Sequence, residues 1–366
     1  WRQRADVLVV TAETVRRFPV DVHGDRTEVR GATGIRRVRA VLPLGGGLAY
    51  GDVRLDPTSR RYLLERVSTI EDPVTRGAAW ITLWEEVLNQ RLAPADFIAA
   101  ALRALASEHV EQNAALVIGY LPDALWRFVP PATRDALAPS IERVLRRGLR
   151  RAKTPSAKAT YFNGLRSMSL SADGVAYLER VWSRRETIPG LTLAEPDEAT
   201  LALELAVRSV PSADAILTTQ LSRFADPDRR ARFAFVTPAL SPSLATRDAF
   251  FESLAEMRNR SREPWVVEGL VYLSHPLRAG HAVRHVRRAL ELLEEVQRTG
   301  DIFFPRNWMD AVLGGHQSSD VAAIVRDFLA ERPDYPIRLR RIILQSADEL
   351  FRAAAINSGE SLNETR

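Results

Sequence analysis

Helix starts are marked unusually clearly along most of this chain. An acceptor or acidic side chain stands directly before a proline at five places: Asp56-Pro57, Asp72-Pro73, Thr154-Pro155, Glu195-Pro196 and Asp226-Pro227. The first residue of such a pair suits the N-cap, and proline suits the first helical position because the N–H that it lacks would have no partner there. A chain with so many helix start signals is constrained to fold as many separate helices.

Apolar residues recur at helical period behind these starts. One stripe consists of Val321, Ile324, Val325, Phe328 and Leu329, so that one side of the predicted helix is buried. Helices of this kind, joined by short loops over residues 56–355, predict antiparallel pairs stacked side by side. We therefore expect a mainly α fold, a HEAT-like α-solenoid, although no sequence motif repeats at a fixed period.

The first 42 residues have a different pattern. Short β-branched runs at 7–11, 19–22, 27–30 and 38–42 alternate with turn signals, which predicts part of a small β-sandwich. Residues 43–55, with the run Gly45-Gly46-Gly47, are expected to be a flexible linker. Gly119, Pro122 and Pro238 are expected to mark kinks or short turns. Residues 356–366 lose the apolar period and are expected to fray.

Composition excludes several classes of function. There is no cysteine, so disulfides, thiolate metal sites and cysteine nucleophiles are ruled out, but this fits more than one compartment. No apolar run approaches the length of a membrane span, so a membrane partner is not expected. The 51 basic residues are interspersed with 46 acidic ones, so a nucleic-acid partner is not expected. The exception is one helix face with Arg143, Arg146, Arg147 and Arg150.

His281 and His285 have the spacing of the two histidines in an H-E-x-x-H zinc helix. The position of the catalytic Glu is occupied by Ala282, which can neither polarise water nor carry its proton. The third ligand of that pattern would fall at 304, which is Phe. We therefore predict no metal ligands and expect both histidines to be exposed or to cap a helix.

Other catalytic patterns are absent as well. The glycine run at 45–47 lacks the G-K-[S/T] ending of a phosphate loop, and no G-x-S-x-G element is present. Adjacent carboxylates such as Glu85 and Glu86 diverge by about 100° on a helix and cannot act as an acid–base pair. No catalytic residue is predicted in this chain.

Residues 247–352 contain several distinctive sequence segments. They include RDAFFESL, EPWVVEGLVYLSHPLR, TGDIFFPRNWMDAVLGGHQSS and RPDYPIRLRRIILQSADELFRAA. These segments resemble the C-terminal region of the aminopeptidase N-like (gluzincin) zinc metallopeptidases, which comprises the end of a small β-sandwich and a helical cap domain. The chain begins at Trp1 without an initiator Met and is expected to be a fragment.

The resemblance implies a parent zinc aminopeptidase whose zinc lies in a catalytic domain absent from this chain. The H-E-x-x-H and G-x-M-E-N elements of that family are missing here, so the chain alone is expected to be inactive. Its implied role is to cap the active-site chamber and contribute to peptide access and binding. The implied partners are the catalytic domain of the same polypeptide and the peptide substrate, with Arg146, Arg150 and Arg298 as candidate peptide-binding residues.

Two alternatives stay open. A free-standing HEAT-like scaffold would bind a protein, or nucleic acid through the arginine-rich helix, and nucleic-acid binding would weaken steeply as salt rises. An independent hydrolase using His281 and His285 would show zinc-dependent turnover by this chain alone.

Overall fold

The computed structural model describes residues 2–47 and 49–359 and is mainly α, with a small N-terminal sheet, as predicted. The strands are β1 Gln3–Val10, β2 Val15–Val22 and β3 Ala40–Leu42. The helices are α1 Pro57–Arg66, α2 Pro73–Leu88, α3 Pro94–Leu105, α4 Glu111–Arg127, α5 Pro131–Arg151, α6 Pro155–Met168, α7 Ala172–Trp182, α8 Glu195–Val207, α9 Ala213–Arg223, α10 Pro227–Val236, α11 Leu244–Ser253, α12 Glu263–Leu273, α13 Ala279–Thr299, α14 Phe304–Leu313, α15 Ser319–Ala330, α16 Ile337–Ser346 and α17 Asp348–Ser358.

The chain forms two compact units. The first contains the chain as far as Leu125 together with Arg143–Gly164, and the second contains Trp126–Glu142 and the chain from Leu165 onward. This division falls within the predicted helical domain 56–355, whose boundaries stay a prediction. Within the described residues, none of the helices is both long and apolar enough to cross a bilayer.

The sheet is antiparallel, in the order β2-β1-β3, with Val10 opposite Val15 on one side and opposite Ala40 on the other. The strand predicted at 27–30 does not form. Thr27 Oγ1 instead donates to the carbonyl of His23 (3.0 Å) and accepts the His23 N–H (3.2 Å). Such local side-chain bonds compete with a strand ladder, and the described residues contain one three-stranded sheet and no second layer of a sandwich.

The glycine-rich segment after β3 packs closely on the sheet. A Cβ on Gly45 would lie 2.2 Å from Leu8 Cδ1, and one on Gly46 would lie 2.6 Å from Asp6 Oδ2. Val53 and Leu55, further along the predicted linker, are buried. Glycine is therefore required here for close approach, and Leu48 of this segment lies outside the described residues.

Four of the five predicted N-caps are confirmed. Asp56, Asp72, Thr154 and Asp226 each accept a backbone N–H in the first turn of the following helix. The N-cap of α8 was predicted wrongly, because the helix already contains Glu195. Its N-cap is Ala194, whose N–H donates to Asp197 Oδ2 at 3.0 Å, so a side chain inside the helix satisfies the cap.

The predicted interruptions have two outcomes. α4 runs through Gly119 and Pro122 as one helix, whereas Pro238 lies in a short 3-10 turn, Thr237–Leu240, as expected. At the other end of the chain, α17 continues to Ser358, three residues beyond the predicted end of the helical domain. Residues 360–366 of the predicted tail lie outside the described residues.

Five arginines occupy the same place, four residues after an N-cap, and turn back onto the loop before the helix; we call them the N-cap+4 arginines. Each guanidinium donates to a carbonyl one or two residues before that cap. The pairs are Arg60 to Leu55 (3.3 Å), Arg76 to Ile70 and Glu71 (2.6 and 2.9 Å), Arg134 to Val129 (3.2 Å), Arg247 to Ser241 (2.6 Å), and Arg260 to Leu254 and Ala255 (2.5 and 2.8 Å). Without these donors, loop carbonyls packed under a helix start would lack partners.

The second unit contains a continuous apolar core built from residues between Ala239 and Ala354. It includes Phe251 from α11, Leu270 from α12, Leu293 from α13 and Trp308 from α14. Trp308 is fully buried, and its Nε1–H donates to the carbonyl of Ala289 at 3.2 Å. The indole is thus paired as a buried polar group must be, and it joins α14 to α13.

We predict that Arg260→Met lowers the free energy of unfolding by about 3 kcal/mol, because two loop carbonyls and Glu295 each lose a charged donor. Arg258→Ala, in the same 3-10 turn, is the control: its side chain is 80% exposed, so it should cost less than about 0.5 kcal/mol. Urea unfolding of both variants measures the difference, and equal stability of the two variants would contradict the role given to this N-cap+4 arginine.

His275 lies in the second unit, where its Nδ1 accepts the N–H of Leu277 at 3.2 Å and its ring packs edge-on against Trp126. Burial of the ring, and then the positive charges of Arg208, Arg278 and Arg134, lower the pKa of His275 to about 3. The neutral ring is therefore the form that the fold favours.

We predict that His275 makes the protein less stable as pH falls from about 6.5 toward 3, because over this range the unfolded chain binds a proton that the folded chain excludes. The contribution approaches about 1.4 kcal/mol per pH unit. His275→Gln should flatten the pH dependence of urea unfolding between pH 7 and 5. The exposed His23→Gln should leave it as in the wild type, and identical slopes for all three proteins would refute the assignment.

Candidate functional site

The first unit contains a cleft of about 340 Å³ between the end of α3, the start of α4, the end of α5 and the start of α6, which we call the α5 cleft. Its apolar surface comes from small and medium side chains and from the ring of Tyr161. The lining residues that carry the argument below are Glu108, Glu111, Arg147, Gly148, Arg151, Lys153 and Tyr161.

Close packing of α5 on α6 shapes one wall of the cleft. A Cβ on Gly148 would lie 2.1 Å from Cε1 of Tyr161, so only glycine lets this ring lie against α5. Burial raises the pKa of Tyr161. The phenol is therefore neutral and offers the cleft an apolar face and a hydroxyl.

The acidic side chains of the cleft already have partners. Glu108 accepts two hydrogen bonds from Arg76 (2.9 and 2.8 Å) and a further one from the Val110 N–H (2.9 Å). Burial opposes its ionisation, but these bonds outweigh burial and lower the pKa of Glu108. Glu111 Oε1 accepts the hydroxyl of Thr154 at 2.7 Å.

The basic side chains are less occupied. Arg151 donates to the carbonyl of Ala106 at 3.1 Å, at the end of α3. Arg147 and Lys153 have no acidic partner among the described residues. The cleft therefore presents cations beside an apolar surface, an arrangement that suits an anionic group attached to an apolar one.

None of the predicted peptide-binding residues lines this cleft. Arg146 and Arg150 lie on α5, half-buried and exposed respectively, and neither lines the cleft. Arg298 is exposed near the end of α13 in the second unit, and it contributes to the lowered pKa of Glu295. Their role in peptide binding stays a prediction.

The cleft residues Arg151 and Lys153 were not among the residues predicted from the sequence to bind a ligand. The available signal was the i, i+4 spacing of Arg147 and Arg151, which places both on one side of α5. Which side faces the cleft depends on how α5 packs against α6, and periodicity does not contain that information.

A second cluster lies in the second unit, where Asp248 of α11 meets His281 and His285 of α13. Oδ1 of Asp248 lies 2.9 Å from Nε2 of His281 and 3.0 Å from Nε2 of His285. Oδ2 accepts a hydrogen bond from Arg284 at 2.8 Å. The expectation that both histidines are exposed or cap a helix is wrong: His285 is 6% exposed, because its ring stacks on Phe251 in the core.

The electrostatics of this cluster favour an ionised carboxylate beside a neutral buried imidazole. Burial opposes ionisation of Asp248, but the His281 hydrogen bond and the charge of Arg284 outweigh it and lower the pKa of Asp248. Burial also lowers the pKa of His285 to about 4, although the Asp248 charge acts in the opposite direction.

This cluster does not fit the catalytic zinc site of an H-E-x-x-H enzyme. Ala282 occupies the position of the general base, and the acidic partner is Asp248, 33 residues before His281 rather than after the second histidine. No hydrolytic step is therefore assigned to these residues.

Comparison with protein-family models finds none that matches the chain. Among known proteins, aminopeptidase N of Streptomyces lividans is 26% identical to this chain over 121 residues. That match covers 33% of this chain and 14% of the length of that protein. The similarity supports a distant relation to aminopeptidase N over a third of the chain.

We predict that Gly148→Ala destabilises the first unit by about 1–3 kcal/mol and displaces Tyr161 from the cleft wall, because the new methyl group overlaps the ring. Gly119→Ala, within α4, is the matched control. It meets no atom within 4 Å and should raise stability by about 0.5–1 kcal/mol through its better helix propensity. Thermal melts measure the stability of both variants, and a Gly148→Ala variant as stable as the wild type would refute the contact.

Proposed function

We propose that this chain is a non-catalytic region of a zinc aminopeptidase of the gluzincin type. It would comprise the end of the small β-sandwich and the helical cap domain. The observation that carries the proposal is the distant relation to aminopeptidase N over a third of the chain. The mainly α architecture after a small sheet agrees with that part of such an enzyme.

In this proposal the chemistry belongs to the catalytic domain. A zinc aminopeptidase removes N-terminal residues when a metal-activated water attacks the first peptide bond. The present sequence has no H-E-x-x-H element to hold that zinc or activate that water. The helical region would cap the active-site chamber and limit which peptides enter it, with the catalytic domain and the peptide as its partners.

The α5 cleft is the place where this region would bind the C-terminal end of a peptide. Arg147 and Lys153 would attract the terminal carboxylate of a peptide, and a guanidinium can bind a carboxylate through two parallel hydrogen bonds. The ring of Tyr161 and the small apolar side chains would accommodate the last apolar residue. Arg146, Arg150 and Arg298 remain further candidates for the same role.

The second candidate function is a HEAT-like interaction scaffold that binds protein or nucleic acid. It is favoured by the exposed face of α5, where Arg143, Arg147 and Arg150 have no acidic partner among the described residues. Phosphate binding by this face would weaken steeply as ionic strength rises, whereas docking on a catalytic domain through apolar surface would not.

We predict that alanyl- and leucyl-aminoacyl reporter substrates are cleaved by the longest product of the same gene, with zinc, and not by this chain. The reason is that the water-activating Glu and its histidine pair are missing here. Both proteins are assayed with zinc added and with zinc chelated. Zinc-dependent turnover by this chain alone would contradict the proposal, and inactivity of both would favour the scaffold.

The same assay examines the cleft. In the longer product, Arg147→Glu should raise KM for peptides about tenfold, the equivalent of about 1.4 kcal/mol, because a carboxylate would then face a carboxylate. KM for the reporters, which have no terminal carboxylate, should not change. Arg36→Glu, at an exposed residue outside the cleft, is the matched charge reversal and should affect neither substrate.

A further inference from the structure

We propose that Asp248, His281 and His285 form a binding site for a divalent transition-metal ion, best suited to zinc. Two imidazoles and one carboxylate are a ligand set that zinc uses, and a water molecule would complete a tetrahedron. The site would link α11 to α13 within the second unit. It is a structural site, separate from the aminopeptidase chemistry proposed above.

The spacing of the ligand atoms carries the proposal. One nitrogen from each ring and one carboxylate oxygen lie within 4.8 Å of one another. Metal–ligand bonds of roughly 2.0–2.1 Å in a tetrahedron place neighbouring ligand atoms about 3.3 Å apart. The two nitrogen-to-Oδ1 distances, 2.9 and 3.0 Å, need to widen by only a few tenths of an ångström.

The buried ring of His285 is an independent observation. Its Nε2 is buried and makes no well-directed hydrogen bond, although it lies 3.0 Å from Oδ1 of Asp248. A buried ring nitrogen without a directed partner is costly, and a metal ion would supply one. Stacking on Phe251, with ring centroids 4.4 Å apart, holds the ring plane in place.

The surroundings pre-organise the site before any ion binds. Arg247 and Arg278 both donate to the carbonyl of Ser241, at 2.6 and 3.0 Å, and they stand next to the starts of α11 and α13. This shared carbonyl sets the two helix starts side by side, so that Asp248 faces the histidines. Arg284 holds Oδ2 and thereby directs Oδ1 toward them, as second-shell partners of metal-bound carboxylates do.

Solvent access is sufficient for an ion to enter. The side chains of Asp248 and His281 are 30% and 17% exposed, whereas His285 forms the inner wall. The ion would replace the hydrogen bond between His281 and Asp248. The charge of Arg284 opposes binding, but its side chain is 57% exposed and is therefore screened by solvent.

The test is titration of the purified, chelator-treated chain with Zn²⁺, followed by calorimetry and thermal melts. We expect one zinc per chain and a Tm that rises with zinc concentration. His281→Ala and Asp248→Asn should each weaken zinc binding about 100-fold or more. His23→Ala, which removes an exposed histidine elsewhere, should bind as the wild type does.

Co²⁺ provides a second measurement that does not depend on stability. Visible absorption typical of tetrahedral Co²⁺ should develop with one equivalent in the wild type and in the His23 variant, and it should be lost in the other two. The proposal is overturned if the wild type takes up no stoichiometric zinc. It is equally overturned if the His281 and Asp248 variants retain wild-type affinity, or if the His23 variant loses as much affinity as they do.

Discussion

The fold depends on one recurring interaction, the return of an arginine from the first turn of a helix to the carbonyls of the loop before it. Stacked helices bury the loops between them, and every buried carbonyl needs a donor. A guanidinium has five N–H donors in a planar fork and stays charged, so it can satisfy two or three acceptors at once. The N-cap+4 arginines do this in both compact units.

This solution places positive charge inside the protein, and the charge is balanced in different ways. Arg76 and Arg260 pair with Glu108 and Glu295. Arg278, the N-cap residue of α13, is a further buried arginine and donates to the carbonyls of Ser241 and Ala206 and to the hydroxyl of Ser209. Burial, and then the charge of Arg247, lower the pKa of Arg278 to about 10. Lysine would serve poorly at these positions, since its ammonium is a compact point charge with three donors. Only two of the 51 basic residues in the chain are lysine, which is consistent with this use.

The N-cap+4 arginines also influence the two candidate sites. Arg76 occupies Glu108, which leaves the cations of the α5 cleft without that acidic partner. Arg247 immediately precedes Asp248, so the contact that anchors α11 also orients a ligand of the proposed metal site. The chemistry available at either place is set by residues whose first role is structural.

Much of the local structure could be predicted from sequence. The N-caps at Asp56, Asp72 and Asp226 were found because side chain and backbone meet within three residues. The contacts of the N-cap+4 arginines were not predicted, although a similar sequence motif occurs at two of them. The two segments are Pro130-Pro131-Ala132-Thr133-Arg134 and Ser243-Leu244-Ala245-Thr246-Arg247. From sequence alone, an arginine in the first turn of a helix is predicted to be exposed to solvent. Its role becomes clear only when the preceding loop is known to be buried.

Local pattern therefore determined that this chain is mainly helical, where four of its helices begin, and that it lacks the H-E-x-x-H element. Tertiary packing alone decided that Arg147 and Arg151 line a cleft while Arg146 and Arg150 do not, because the rotation of α5 follows from its contact with Tyr161. It also decided that Asp248 meets His281 across 33 residues of sequence. Residues so far apart are brought together by buried contacts between helices, and no periodicity within either helix encodes which partner it will meet.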